Sequence, residues 1–248
     1  MSAKGPPPLL PLDRIALFPD FDGTLVELAP RPGDVVVHAD LPPVLERLLL
    51  GLDGALAVVS GRPLEDLDRL LAPLHLPAAG THGGEIRQSA GGTVQMIGEA
   101  LPADLKDRLN DVVKELQAQW HGILLEDKIS AVAVHYRLAP AAERALRAAL
   151  EALPLPEHWE ILPGHCMYEI RRQAQNKGAA LRSMCAGLPF AGRLPVMVGD
   201  DRTDLDGIAA AVGWGGQGIA VGGLEAPGAA WALPDVAAVQ DWLRRLAG

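Results

Sequence analysis

Two carboxylates stand two residues apart in Asp20-Phe21-Asp22-Gly23-Thr24-Leu25, directly after an apolar run at 14–18 that reads as a strand. They therefore fall at a strand's carboxyl end, the edge where open α/β sheets bind ligands. Gly23 permits a tight turn there, and the neighbouring N–H groups can cradle an anion. Three further sets fall at comparable places: Ser60-Gly61-Arg62 after a second apolar run, Asn176-Lys177-Gly178 opening a helical stretch, and Gly199-Asp200-Asp201-Arg202-Thr203-Asp204 between a strand and a helix. Singly each has a plain reading: an Asx turn, a tight turn, a solvated lysine, a capped helix start. Together they assemble the parts for phosphoryl transfer. Asp20, Asp22 and Asp200 supply hard oxygens suited to Mg²⁺. Lys177 and Ser60 can hold a phosphate, and an aspartate can serve as nucleophile through an aspartyl-phosphate.

Strand and helix signals alternate around these sets. Strands are expected at 14–18 and 55–59, with helices at 41–50 and 63–71; the alternation resumes after Asn176 with helices at 177–186, 203–211 and 236–246 and strands at 194–198 and 218–221. Between them the pattern changes. Residues 85–88 and 93–97 flank Ser89-Ala90-Gly91-Gly92 as a hairpin, and strand pairs at 122–126 with 130–137 and at 159–162 with 167–170 are separated by helices at 104–120 and 140–150. The expected architecture is an α/β protein: a doubly wound, Rossmann-like parallel-sheet core from 1–84 and 171–248, with an inserted α+β cap at 85–170. Tryptophans 159, 214, 231 and 242 are expected in packed positions, and Trp120 at a helix end.

Composition bounds the function. A 49% hydrophobic content over 248 residues supports a sizeable core. The net charge of −9 speaks against a nucleic-acid or anionic-membrane binder, but not against a small anionic substrate. Two cysteines, Cys166 and Cys185, exclude a disulfide framework or a four-thiolate zinc site. Residues 1–11 lack the apolar core of a signal peptide, and no run of about 18 apolar residues offers a membrane span. A cytoplasmic monomer is the resulting expectation.

The order of these motifs resembles the haloacid dehalogenase superfamily of Mg²⁺-dependent phosphatases, over 12–246. The resemblance implies Asp20 as nucleophile and Asp22 as acid to the leaving oxygen, then base for water. It implies phosphate binding by Ser60 and Lys177. It also implies a metal held by Asp20, the Asp22 backbone carbonyl and Asp200, with Asp201 and Asp204 in support. Within that superfamily, Gly80-Thr81-His82-Gly83-Gly84-Glu85, Leu125-Glu126-Asp127-Lys128, Ala133-Val134-His135-Tyr136-Arg137, Gly164-His165-Cys166-Met167-Tyr168-Glu169-Ile170-Arg171 and Asp200-Asp201-Arg202-Thr203-Asp204-Leu205-Asp206 resemble the capped trehalose-6-phosphate phosphatase family.

That likeness implies trehalose 6-phosphate as substrate, with Glu126, Lys128 and Glu169 on the distal glucose hydroxyls and His82 and Glu85 near the domain junction. Gly23, Thr24, Gly61 and Arg62 complete the expected substrate side. From the residues alone, Glu126 and Lys128 fit an exposed strand ion pair as well as a sugar site. Arg62 fits either a substrate contact or a local ion pair, and His135 and Arg137 fit either a cleft or a brace. Another sugar-phosphate phosphatase, of sucrose-phosphate or glycosyl-phosphoglycerate type, is the nearest rival; a non-catalytic sugar-phosphate sensor is another. A receiver-type domain would be smaller and uncapped.

Overall fold

The computed structural model describes residues 5–97, 101–128, 131–164 and 166–248; Ser130 and His165, which belong to segments quoted above, lie outside the described residues, as do residues 1–4. The chain divides into two compact units, Met1–Ile97 with Asn176–Gly248, and Gly98–Gln175.

In the first unit, β1 (Ile15–Pro19) is buried along its whole length. It is followed by α1 (Leu41–Gly51), β2 (Val58–Val59), α2 (Leu64–Leu70), β3 (Ala78–Gly80), β4 (Glu85–Arg87) and β5 (Gln95–Met96). After the second unit come α5 (Lys177–Cys185), β10 (Leu194–Gly199), α6 (Asp204–Gly213), β11 (Gln217–Val221), β12 (Trp231–Leu233) and α7 (Val236–Ala247). Strands β1, β10, β11 and β12 are parallel neighbours in that order. β2 pairs parallel with β3, and backbone hydrogen bonds from Leu17 N to Ala55 O and from Ala57 N to Leu17 O, both 2.9 Å, join the two groups. The near-continuous apolar sequence of β1 and β10 is what a sheet covered on both faces requires. Phe18, Phe21, Leu45, Leu48, Phe190 and Trp242 are fully buried in its core.

Pro19 interrupts no ladder. The Asp20 N–H donates to Val198 O at 2.9 Å, so by alternation the missing donor of Pro19 falls on the β2 side, where regular pairing has already ended. Trp214 is 46% exposed, so it lies outside the core expected for it. The larger departure is the expected domain edge at Gly84. β4 pairs antiparallel with β3, and β5 with β4, so the hairpin at 85–97 extends the first unit's sheet. A hairpin signal in sequence specifies its two strands but not the sheet edge they join.

The second unit holds α3 (Ala103–Gln119), β6 (Leu124–Asp127), β7 (Val132–His135), α4 (Glu143–Glu151), β8 (Trp159–Gly164) and β9 (Met167–Arg172). Its sheet is antiparallel in the order β6-β7-β9-β8. Alternation sends Val132, Val134, Tyr168 and Ile170 to one face, where they form a core with Leu105 and Leu109 of α3 and Leu146 and Leu150 of α4. The other face carries the charged residues. Among the described residues, no helix is long and apolar enough to cross a membrane.

Candidate active site

The turn after β1 is anchored from beneath. Phe21, Leu25 and Val26 are buried, and Leu25 N and Val26 N donate to Phe21 O at 2.9 and 3.1 Å. This holds Asp20 and Asp22 at the strand's end, with Asp20 only 4% exposed. Gly23 sits at φ +82°, and a Cβ there would lie 2.1 Å from Asp200 Oδ2. The position therefore demands glycine for both conformation and space. Thr24 is buried and its hydroxyl donates to Asp200 Oδ1 at 2.9 Å. Thr24 thus aims a carboxylate from the neighbouring β10–α6 turn.

Lys177, at the start of α5, links both turns. Its ammonium lies 2.7 Å from Asp20 Oδ1 and 2.6 Å from Asp204 Oδ1, and all three side chains are buried. Asn176 fixes the entry to this helix, its side chain accepting from Ala179 N at 2.8 Å. Burial alone would lower the Lys177 pKa, but the Asp20 and Asp204 charges reverse this and raise it. Burial and then Asp204 push the Asp20 carboxyl well above the ordinary carboxylate range. The same two causes bring Asp200 to about 6. Asp204 is raised as well, chiefly by burial.

Oxygens of Asp20, Asp200 and Asp204 lie within 4.8 Å of one another. Their availability differs. Asp204 spends Oδ1 on Lys177 and Oδ2 on the backbone N–H groups of Asp200 and Asp201, each at 3.0 Å. It is a brace for the turn. Asp201 Oδ1 accepts the Thr203 N–H and hydroxyl at 2.7 and 2.6 Å. Asp20 and Asp200 are left as the pair best placed to take a hard cation; burial is the first cause of their raised pKa values, and the Asp204 charge beside them, the second cause, is what a divalent ion would offset. The donor set fits Mg²⁺, which uses few protein carboxylates and keeps several waters.

Arg62 forms the local ion pair that is one of its two expected readings. Its Nε and a terminal nitrogen donate to Asp22 Oδ2 and Oδ1 at 2.6 and 2.8 Å, a bidentate fork, and its guanidinium lies 5.7 Å from the Phe21 ring centroid. Ser60 is buried, and its Oγ accepts the Arg62 N–H at 3.1 Å, leaving the hydroxyl hydrogen to donate elsewhere. His82 packs so closely on Gly61 that a Cβ there would lie 2.6 Å from Nε2. Glu85 is buried with Oε2 accepting the Leu64 N–H at 2.6 Å.

In the second unit, Glu126, Ala133 and Glu169 are register partners across β6, β7 and β9, so they share one face. Lys128 Nζ donates to Glu169 Oε1 at 3.0 Å, with side-chain exposures of 6% and 1%. His135 pairs with Glu126 at 2.8 Å. Burial opposes ionisation of Glu126, but the His135 hydrogen bond and the Lys128 charge outweigh it and hold its pKa below the usual value. Lys128 is therefore no exposed strand charge, and its pairing with Glu169 forty-one residues away carried no signal in the local sequence.

A parallel sheet with an acidic turn, a serine, a lysine and a second acidic turn at its carboxyl edge, interrupted by an inserted α+β unit, is the arrangement of a haloacid dehalogenase-like fold. A haloacid dehalogenase-like hydrolase from B. subtilis superposes at TM-score 0.65 over 94% of this chain and 100% of that one, at 15% identity. The C-terminal domain of C. albicans trehalose-6-phosphate phosphatase does so at TM-score 0.82 over 95% and 93%, at 20% identity; both likenesses speak for the fold. The family model described as trehalose-phosphatase matches residues 18–211. Over 94% of this chain and 86% of its own length, the trehalose-6-phosphate phosphatase of Escherichia coli (strain K12) is 37% identical. The chain belongs to the trehalose-phosphatase family.

Proposed function

We propose that the protein hydrolyses trehalose 6-phosphate to trehalose and inorganic phosphate, as a Mg²⁺-dependent phosphoric monoester hydrolase of trehalose biosynthesis. The observation that carries this reading is the buried Asp20 carboxylate, held by Lys177 beside Asp200 at the sheet edge. Asp20 attacks the phosphorus, the bond from phosphorus to the sugar oxygen breaks, and Asp22 protonates that oxygen. Asp22 then takes a proton from water, which attacks the aspartyl-phosphate and releases phosphate and free Asp20. Each Asp22 oxygen accepts one Arg62 N–H and keeps a second lone pair on which the transferred proton can sit.

Asp20 and Asp200 would hold Mg²⁺, with the Asp22 backbone carbonyl as the family resemblance implies. Bound there, the ion would offset charge on the transferring phosphoryl group. Lys177 still has a donor for a phosphate oxygen, and Ser60 offers its hydroxyl. In the second unit, Glu126, Lys128 and Glu169 supply charged acceptors and a donor suited to sugar hydroxyls. Phosphate release from trehalose 6-phosphate with Mg²⁺, and again with excess chelator, tests the reading. Turnover that stops on chelation and returns with Mg²⁺ is expected; turnover indifferent to the chelator would remove the metal from the account.

A further inference from the structure

The segment from Gly80 to Glu85 runs in an unusual conformation. Two consecutive non-glycine residues, Thr81 (φ +48°) and His82 (φ +52°), occupy the left-handed region, followed by Gly83 at φ +99°. Such backbone persists only where surrounding structure over-determines it, and it gathers at functional sites. Here each strained residue faces the turn that carries Ser60 and Arg62. Thr81 N donates to Arg62 O and His82 N to Ser60 O, both at 2.9 Å. The His82 ring closes on Gly61. The Glu85 carboxylate, 5% exposed, accepts the Leu64 N–H at 2.6 Å. Residues 60, 61, 62 and 64 are thus each gripped from one loop.

We propose that the 80–85 loop is a clamp and that Glu85 is a positioning residue: through the Leu64 N–H it fixes the Ser60–Leu64 turn, and so sets Ser60 for the phosphate and Arg62 against Asp22. Glu85 acts through other residues and touches no substrate. The family likeness had placed Glu85 and His82 with the substrate; the clamp gives both a different task. The inference rests on the phosphatase reading only for its kinetic consequence. The grip itself is a statement about backbone order.

Two conservative variants separate reach from charge. Glu85→Gln keeps the length and a carbonyl acceptor for Leu64 N–H, whereas Glu85→Asp keeps the charge and loses the reach. The first readout is hydrogen exchange of the peptide spanning 60–64, which needs no activity. Protection like that of the unaltered protein is expected in Glu85→Gln, and about tenfold or faster exchange in Glu85→Asp, with the rest of the fold unchanged. The second readout is kinetic. With trehalose 6-phosphate, Glu85→Gln keeps kcat within about threefold, while Glu85→Asp loses about tenfold to a hundredfold in kcat with little change in KM.

With p-nitrophenyl phosphate, whose leaving group needs no proton from Asp22, the Glu85→Asp loss is smaller. Equal protection of 60–64 in both variants would overturn the clamp. So would an Asp variant more active than the Gln variant, or a loss confined to KM for the sugar phosphate, which marks a substrate contact. Failure of the unaltered protein to hydrolyse either phosphate would count against the phosphatase reading, while hydrogen exchange would still decide the clamp.

Discussion

At the residue scale, the site is a balance between two buried carboxylates, a half-buried one and one buried ammonium. Asp204 is consumed in bracing, Asp200 is aimed by Thr24, and Asp20 keeps an oxygen free beside Lys177. Asp20→Asn removes the proposed nucleophile while leaving the turn's backbone hydrogen bonds intact. Its turnover should fall at least about 10³-fold, as when nucleophiles are removed elsewhere; full turnover in a steady-state phosphate assay would mean another group attacks. The acidic cluster was legible in sequence because turns after strands advertise themselves through Asp and Gly. Which acids brace and which remain open was not, since that depends on partners such as Lys177 and Asp204, twenty-seven residues apart. The Arg62–Asp22 fork spans forty residues and has the same excuse.

At the element scale, charged pairs tie strands and helices together in both units. The Lys128–Glu169 pair joins β9 to the residue just beyond β6 on the charged face of the antiparallel sheet. Removing one partner strands the other, so Lys128→Ala should lower stability by about 3–5 kcal/mol. Glu169→Leu combined with Lys128→Met should recover much of that loss in denaturant melts, whereas both variants should impair use of trehalose 6-phosphate.

In the first unit, Arg87 of β4 grips Asp68 of α2 through two hydrogen bonds, the one from Nη1 to Oδ2 at 2.8 Å. Burial would raise the Asp68 pKa, but the Arg87 fork and His75 outweigh it and hold it below the ordinary value. A carboxyl lowered on folding stabilises above its unfolded pKa, about 3.9, and loses that contribution as pH falls through its folded value. Asp68→Asn should therefore lower Tm by a few degrees near pH 7, and the deficit should shrink below about pH 4. A deficit that is constant with pH would place the effect in packing. The same β4 explains why the expected boundary fell early: Glu85–Arg87 is short and wholly buried, and only its pairing with β3 assigns it to the parallel-sheet unit.

At the scale of the whole molecule, each unit has its own apolar core, the larger one around the parallel sheet and the smaller one between the antiparallel sheet and α3 with α4. The change of strand and helix pattern between the two α/β stretches signalled an inserted unit, but its edge, after the 85–97 hairpin, was set by pairing with β3. On the proposed function, phosphate chemistry falls to the first unit and the charged residues suited to sugar hydroxyls lie in the second. That separation would show itself in substrate preference. Its most direct test is kcat/KM of the unaltered protein for trehalose 6-phosphate against glucose 6-phosphate, with Mg²⁺ present. A preference for the disaccharide of at least about 10²-fold is expected, since several hydroxyl contacts are lost with the distal glucose; equal values for the two substrates would contradict the account.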